Sequence, residues 1–290
     1  MSTEINKIYR ELINKILEQG TDIHDKRKFH QHQPDKKIIT RTIYGFNFSY
    51  DLEKHGLPLI SLRKIPIKLF VGETVWFLRG DNNPNGVIRR FTKIWDDFVE
   101  DDGTVTSYGN RWRKWFGRDQ LLEVIQTLQK DPSSRHGVVV TWDPKTDSLI
   151  TGVKRMNVPC HVMFMFNVEN DRLHMHTIWR SQDAYLGFPN DLAGGGLLQM
   201  IIAAYMGLKP GIYHHYIANV HLYDNQYENA RKLLEVDDEH PAIKLDIKQD
   251  WFEKASKSDD GAYEVGMNLF EQIKKQYKPK QVLQRVLIVV

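Results

Sequence analysis

Within the first twenty positions, apolar residues recur at steps of three and four, Ile8, Tyr9, Leu12, Ile13, Ile16 and Leu17, until Gly20. That spacing lines them up on one stripe, which predicts an amphipathic helix ending at the glycine. His24–Lys37 is polar, rich in lysine and histidine, and contains Pro34. It reads as an exposed loop, either a ligand cover or plain surface, before a strand over Ile38–Phe48. Helices are predicted over Phe70–Leu78 and Gln120–Leu128, the second stopped by Asp131-Pro132, and a buried strand over Val138–Trp142. His161–Val168 and Arg172–Trp179 alternate apolar and polar residues around Glu169-Asn170-Asp171, the signature of a hairpin. Leu197–Met206 is a strongly apolar helix closed by Gly207 and Pro210. Beyond Pro241 the chain becomes charged, with a helix expected over Val265–Tyr277 and an apolar end, Val286–Val290, that suits an edge strand. With no internal repeat, this mixture points to an α+β domain built on a substantial sheet.

Composition narrows the function classes. A chain of 290 residues, 41% of them hydrophobic, can bury one sizeable core, and a single domain over residues 1–290 is expected. No run approaches the roughly 18 apolar residues of a membrane span, and Met1–Asn6 has no signal-peptide pattern, so a soluble, cytoplasmic protein is expected. A net charge of +3 is too small for a surface that coats nucleic acid. Neither nucleic acid nor membrane is expected as a partner, whereas a small anionic ligand fits. The single cysteine excludes an internal disulfide framework and a cysteine-rich metal site, and no metal is expected. Cys160 is therefore either buried filler or a working thiol.

Asn157-Val158-Pro159-Cys160-His161 places that thiol just before a strand, after a proline that fixes the local backbone. An isolated free cysteine usually packs as a small hydrophobe. Arg180-Ser181-Gln182-Asp183, following the hairpin, changes the balance: an arginine and a hydroxyl at a strand end can grip a phosphate and raise the thiolate population of a nearby cysteine.

These residues also carry a resemblance. Pro-Cys-His at 159–161, Arg-Ser-x-Asp-x-x-Leu-Gly at 180–187 and His221-Leu222-Tyr223 resemble the thymidylate synthase superfamily. Glu73–Asp81 is similar to that family's catalytic-glutamate helix and Ile94-Trp95-Asp96 to its folate-side segment. Tyr108–Trp112 resembles its central motif, and Asp131–Arg135 the segment that sends an arginine across the dimer interface. The resemblance runs over roughly residues 5–245, leaving a divergent C-terminal segment from about 246. It implies a large mixed sheet flanked by helices and forming a homodimer interface. It also implies 5,10-methylenetetrahydrofolate as co-substrate and a pyrimidine nucleoside monophosphate as substrate. Cys160 would be the thiolate that adds to C6 of the base, with Glu73 and Tyr108 serving the proton transfers. Arg180, Ser181 and Arg135 would hold the phosphate, His221 and Tyr223 the sugar 3′-hydroxyl. Ile94, Trp95, Asp183, Leu186 and Gly187 would line the folate side. His136 and Asn219 stand where the family often has arginine and aspartate. His214 and His215 read as ordinary strand residues. Outside such a constellation, Arg135, Arg180 and Glu73 would default to surface or interface ion pairs, and Trp95 and Tyr108 to core.

Gly187-Phe188-Pro189-Asn190-Asp191 departs from the Pro-Phe-Asn of uracil-using synthases, putting Asp191 where their asparagine meets the base. Uracil shows an N3–H donor and an O4 acceptor, cytosine an N3 acceptor and an N4 amino donor. A carboxyl group can accept from the amino group and, when protonated, donate to N3, so cytosine is expected. The competing reading is that Asp191 caps the following helix. Gly-Phe-x-Asn-Asp is also similar to the bacteriophage deoxycytidylate hydroxymethylases, in which water rather than hydride quenches the C5 methylene. Asn157, where synthases usually have leucine, can position water and points the same way. Trp95 instead resembles the methylating enzymes. The expected product is 5-hydroxymethyl-dCMP, made for nucleotide biosynthesis and DNA modification in a bacterial or phage-infected cell. C5 methylation of dCMP or dUMP, and a catalytically silent nucleotide- or RNA-binding relative, stay open. Release of tritium from C5 separates an enzyme from the last of these.

Overall fold

Asn170 and Asp171 have φ of 52° and 58°, the left-handed pair that a two-residue hairpin demands, and they join β4 (His161–Glu169) to β5 (Arg172–Trp179). The computed structural model describes residues 3–28, 37–147, 158–236, 239–280, 283 and 286. Among these, β1 (Thr21–Lys28), β2 (Lys37–Asp51), β3 (Val138–Val140), β6 (Gln182–Asp183) and β7 (Lys209–Tyr223) complete one mixed sheet. Its order is β1-β2-β7-β5-β4-β3, with β6 also pairing β7. All pairings are antiparallel except β5 with β7 and β6 with β7.

The helices are α1 (Glu4–Gln19), α2 (Leu52–His55), α3 (Ile67–Arg79), α4 (Tyr108–Asn110) and α5 (Gln120–Lys130), then α6 (Gly187–Tyr205), α7 (Tyr227–Leu234), α8 (Trp251–Lys257) and α9 (Asp259–Gln276). Parallel pairing needs a crossover, and α6 supplies it between β6 and β7. α3 packs against α6, α8 and α9, while α1 lies on β2 and α6 on β7. The result is an α+β fold with one apolar core between the sheet and its helices, as the alternation of elements predicts.

Three expectations change. His24–Lys28, expected to open a loop, belong to the edge strand β1, because pairing with β2 satisfies the backbone there. The rest of the expected loop, residues 29–36, lies outside the described residues. The apolar helix starts at Gly187, ten residues before Leu197, despite Pro189 and Gly194-Gly195-Gly196. Tertiary packing overrides propensity there: a Cβ on Gly196 would stand 2.5 Å from Pro58, and one on Gly195 2.6 Å from the Tyr213 hydroxyl. The helix predicted from Val265 begins at Asp259, where the Ser258 hydroxyl accepts from the Gly261 amide at 3.0 Å. Of the apolar end, Val286 packs on the core and residues 287–290 lie outside the described residues. No helix among the described residues is long and apolar enough to cross a membrane.

Candidate active site

Strand geometry brings the thiol and its cation together. The hairpin aligns His161 with Trp179, so the residues just beyond, Cys160 and Arg180, are neighbours, and the Arg180 amide donates to the Cys160 carbonyl at 2.9 Å. The Arg180 side chain then wraps the turn, with Nε donating to Pro159 O at 2.8 Å and Nη2 to Val158 O at 3.0 Å. Nη2 also reaches 3.8 Å from Cys160 Sγ, a position from which a cation stabilises a thiolate. The guanidinium carbon stands 5.5 Å from the centre of the Trp142 ring. Cys160 is half-buried.

Between α3, α6 and the sheet lies a cavity of about 140 Å³. Glu73, Trp95, Tyr108, His161, Trp179 and Asp191 are among the residues that line it. Trp95 Nε1 donates to Glu73 Oε1 at 3.0 Å. Gln182 Nε2 donates to Asp191 Oδ2 at 2.9 Å. Burial pushes the Glu73 carboxyl up to about 8; the charge of Asp191 adds to this and the Trp95 bond opposes it. Burial likewise pushes Asp191 up to about 7, with Gln182 holding it down and Asp183 pushing it further up. Two enclosed acids therefore share a wall and retain protons near neutral pH, the condition for general acid–base work. Burial and the charges of Cys160, Asp191 and Glu73 keep Tyr108 protonated. Trp179 Nε1, His161 Nε2 and Asn190 Oδ1 are buried on cavity-lining residues without a hydrogen-bond partner among the described residues. A bound ligand or ordered water would satisfy such groups.

The other predicted residues spread around this centre. Ser181, half-buried, occupies the break between β5 and β6 beside Arg180. His221 and Tyr223, both 5% exposed, end β7 with ring centres 5.0 Å apart, and His221 Nδ1 pairs with Asn219 Oδ1 at 3.0 Å. Ile94 and Trp95 open the short helical turn Ile94–Phe98. Gly187 begins α6 and Leu186 is the residue before it. Asp183 is engaged within the chain: Oδ1 accepts from the Tyr185 and Leu186 amides at 2.7 and 2.9 Å, and Oδ2 from Gln226 Nε2 at 2.9 Å. Arg135 and His136 are exposed in the loop before β3, and Arg135 has no partner among the described residues. Asn157 lies outside the described residues. Asp191 does not cap α6, since the helix starts four residues earlier and the carboxyl turns to Gln182.

Sequence reasoning missed the second row behind Asp191. Gln182 Oε1 lies 2.8 Å from His215 Nε2, and His215 Nδ1 lies 2.9 Å from Thr177 Oγ1 and 3.1 Å from the Tyr213 hydroxyl. His215 is fully buried, so it is not an ordinary strand residue. The available signal was alternation: Tyr213, His215 and Ile217 share the buried face of β7, where a histidine needs partners.

A family model described as thymidylate synthase matches residues 7–279, running on through α8 and α9 beyond the point at which the motifs end.

Proposed function

We propose, on the premise that the chain belongs to the thymidylate synthase family and so carries out folate-dependent one-carbon transfer to C5 of a pyrimidine nucleotide, that its substrate is deoxycytidylate and its product 5-hydroxymethyl-deoxycytidylate. One observation carries the choice of base: a carboxyl group, Asp191, stands on the cavity wall with Glu73, and its protonation range spans neutral pH. An acid that can both accept and donate complements the N4 amino group and N3 of cytosine. One mismatched buried polar pair costs about 1–3 kcal/mol, a discrimination of about 5- to 150-fold.

Cys160, stabilised as thiolate by Arg180, forms a bond to C6, and the electrons of the 5,6 double bond make C5 nucleophilic. Methylenetetrahydrofolate supplies the carbon that C5 attacks. Glu73, held by Trp95, takes part in removing the C5 proton, with Tyr108 alongside. Loss of the C5 proton expels tetrahydrofolate from the bridging carbon and leaves an exocyclic methylene on C5; water adds to it, no hydride moves, and release of the Cys160 thiolate from C6 restores the 5,6 double bond. Trp95, Phe77 and Glu73 on the cavity wall suit a flat heterocycle with a hydrogen-bonding edge. Ile94, Asn157, Asp183, Leu186 and Gly187 would complete the folate side. Arg180 and Ser181, with the partner subunit's Arg135 in a homodimer, would hold the phosphate, and His221 and Tyr223 the sugar.

The test incubates the enzyme with deoxycytidylate or deoxyuridylate and methylenetetrahydrofolate, with mass spectrometry of the nucleotide and absorbance of the folate. Hydroxymethyl-deoxycytidylate with tetrahydrofolate is expected. A methylated nucleotide with dihydrofolate would replace hydroxymethylation by methylation, and turnover of deoxyuridylate alone would reject cytosine.

A further inference from the structure

An ionised carboxylate favours cytosine, accepting from its amino group and repelling uracil O4, but the protonated acid is not selective by itself. With its proton on the oxygen opposite N3 it matches cytosine, and with its proton on the oxygen opposite position 4 it matches uracil. Discrimination therefore requires something that decides which oxygen carries the proton.

The structure contains a relay suited to that. Gln182 Nε2 donates to Asp191 Oδ2 at 2.9 Å, and Gln182 Oε1, which can only accept, faces His215 Nε2 at 2.8 Å. His215 Nε2 must then carry the hydrogen. Burial pushes the ring down to about 3, so it is neutral and its Nδ1 is bare. That nitrogen, with one lone pair, accepts from the Tyr213 hydroxyl at 3.1 Å, which in turn accepts from Thr177 Oγ1 at 3.3 Å. Gly195 leaves room for the Tyr213 hydroxyl, which a Cβ there would approach to 2.6 Å. Every donor in the chain points toward Asp191. Reversing the relay would turn Gln182 Oε1 onto Asp191, setting two acceptors against each other whenever the carboxyl is ionised. The His215 ring is further fixed by Phe48, Trp179 and Phe188, with ring centres 5.3, 5.7 and 5.6 Å away.

We propose that Gln182 and His215 are specificity-determining positioning residues, which keep Asp191 Oδ2 as an acceptor so that the carboxyl proton resides on Oδ1 and the base edge meets acceptor and donor in the order cytosine requires. This rests on the cytosine reading. It assigns the two residues no contact with the nucleotide.

The experiment measures kcat/KM for deoxycytidylate and deoxyuridylate, as tritium release from C5, across pH for wild type, Gln182→Met, His215→Phe and His215→Gln. Gln182→Met removes the donor and His215→Phe keeps the ring but breaks the relay. Both should lower the cytidylate-to-uridylate ratio about tenfold or more, the discrimination one buried hydrogen bond supplies. His215→Gln retains a donor for Gln182 Oε1 and should restore much of that ratio. In Gln182→Met the Asp191 limb of the pH profile should also move to higher pH, because the bond that favours its ionised form is gone. Asp183 of β6 acts on the same carboxyl, and the carboxyl acts on Glu73 of α3, Tyr108 of α4 and Tyr213 of β7; all four are unchanged in these variants. Equal loss on both bases, or an unmoved pH limb, overturns the proposal. Should Gln182→Met not fold, the contrast between His215→Phe and His215→Gln decides it. Asp191→Asn separates the two levels: if it shifts base preference and the relay variants do not, the relay fails and the cytosine reading stands. If Asp191→Asn shifts nothing, the reading itself fails.

Discussion

Trp95 Nε1 donates to Glu73 Oε1 at 3.0 Å, giving a buried carboxyl one fixed hydrogen bond inside the cavity. The bond favours the ionised form while burial favours the neutral one, and burial wins, since Glu73 sits at about 8. Trp95→Phe should raise it further, moving the Glu73 limb of the kcat pH profile to higher pH with the ring still in place. An unmoved limb would remove Glu73 from the rate-determining proton transfer.

The same shift has a consequence for stability. An acid raised on folding stabilises the native state fully below its unfolded pKa, and that contribution is lost as pH rises through the folded value. His161 and His215, pushed down to about 3 by burial, work in the opposite sense but only below about 6.5, the ordinary histidine value. Between about 6.5 and 8, wild-type stability should therefore fall as pH rises, and Glu73→Gln should flatten that slope. Denaturant titrations at several pH values measure it.

Cys160→Ser should abolish tritium release and leave nucleotide binding largely intact, because a hydroxyl of far higher pKa cannot supply the attacking anion. Binding by calorimetry together with tritium release checks both halves. Turnover within about tenfold of wild type would rule out the covalent step.

Asp191→Asn should move preference from cytidylate toward uridylate in kcat/KM, since an amide offers one donor and one acceptor that match N3–H and O4. The melting temperature should change little, because Asn can still accept from Gln182.

Arg135, exposed and without a partner among the described residues, is proposed to serve the phosphate site of a neighbouring subunit. Mixed Arg135→Ala and Cys160→Ser chains should regain activity in part of their heterodimers. Proven subunit exchange without recovery would place the arginine elsewhere.

Much of this protein is determined locally. The stripe of α1, the hairpin turn at Asn170-Asp171 and the stop at Asp131-Pro132 each depend on residues within a few positions, so periodicity and turn chemistry suffice to read them. The ordered motifs around Cys160, Arg180 and Glu73 likewise carry a resemblance to the family whose model matches residues 7–279. What alternation cannot supply is the partner of a buried group. β1 is illegible in the sequence because Thr21–His24 are exposed, so no burial alternation marks it, and its ladder to β2 makes it a strand. The Glu73–Trp95 bond joins α3 to the turn Ile94–Phe98, and the Asp191–Gln182–His215 relay joins α6, β6 and β7, where β6 pairs with the strand that carries His215. Hydrogen bonds act over about 3 Å, so a site made from them is settled by register and packing, whereas the residues that make it are settled by the chain alone.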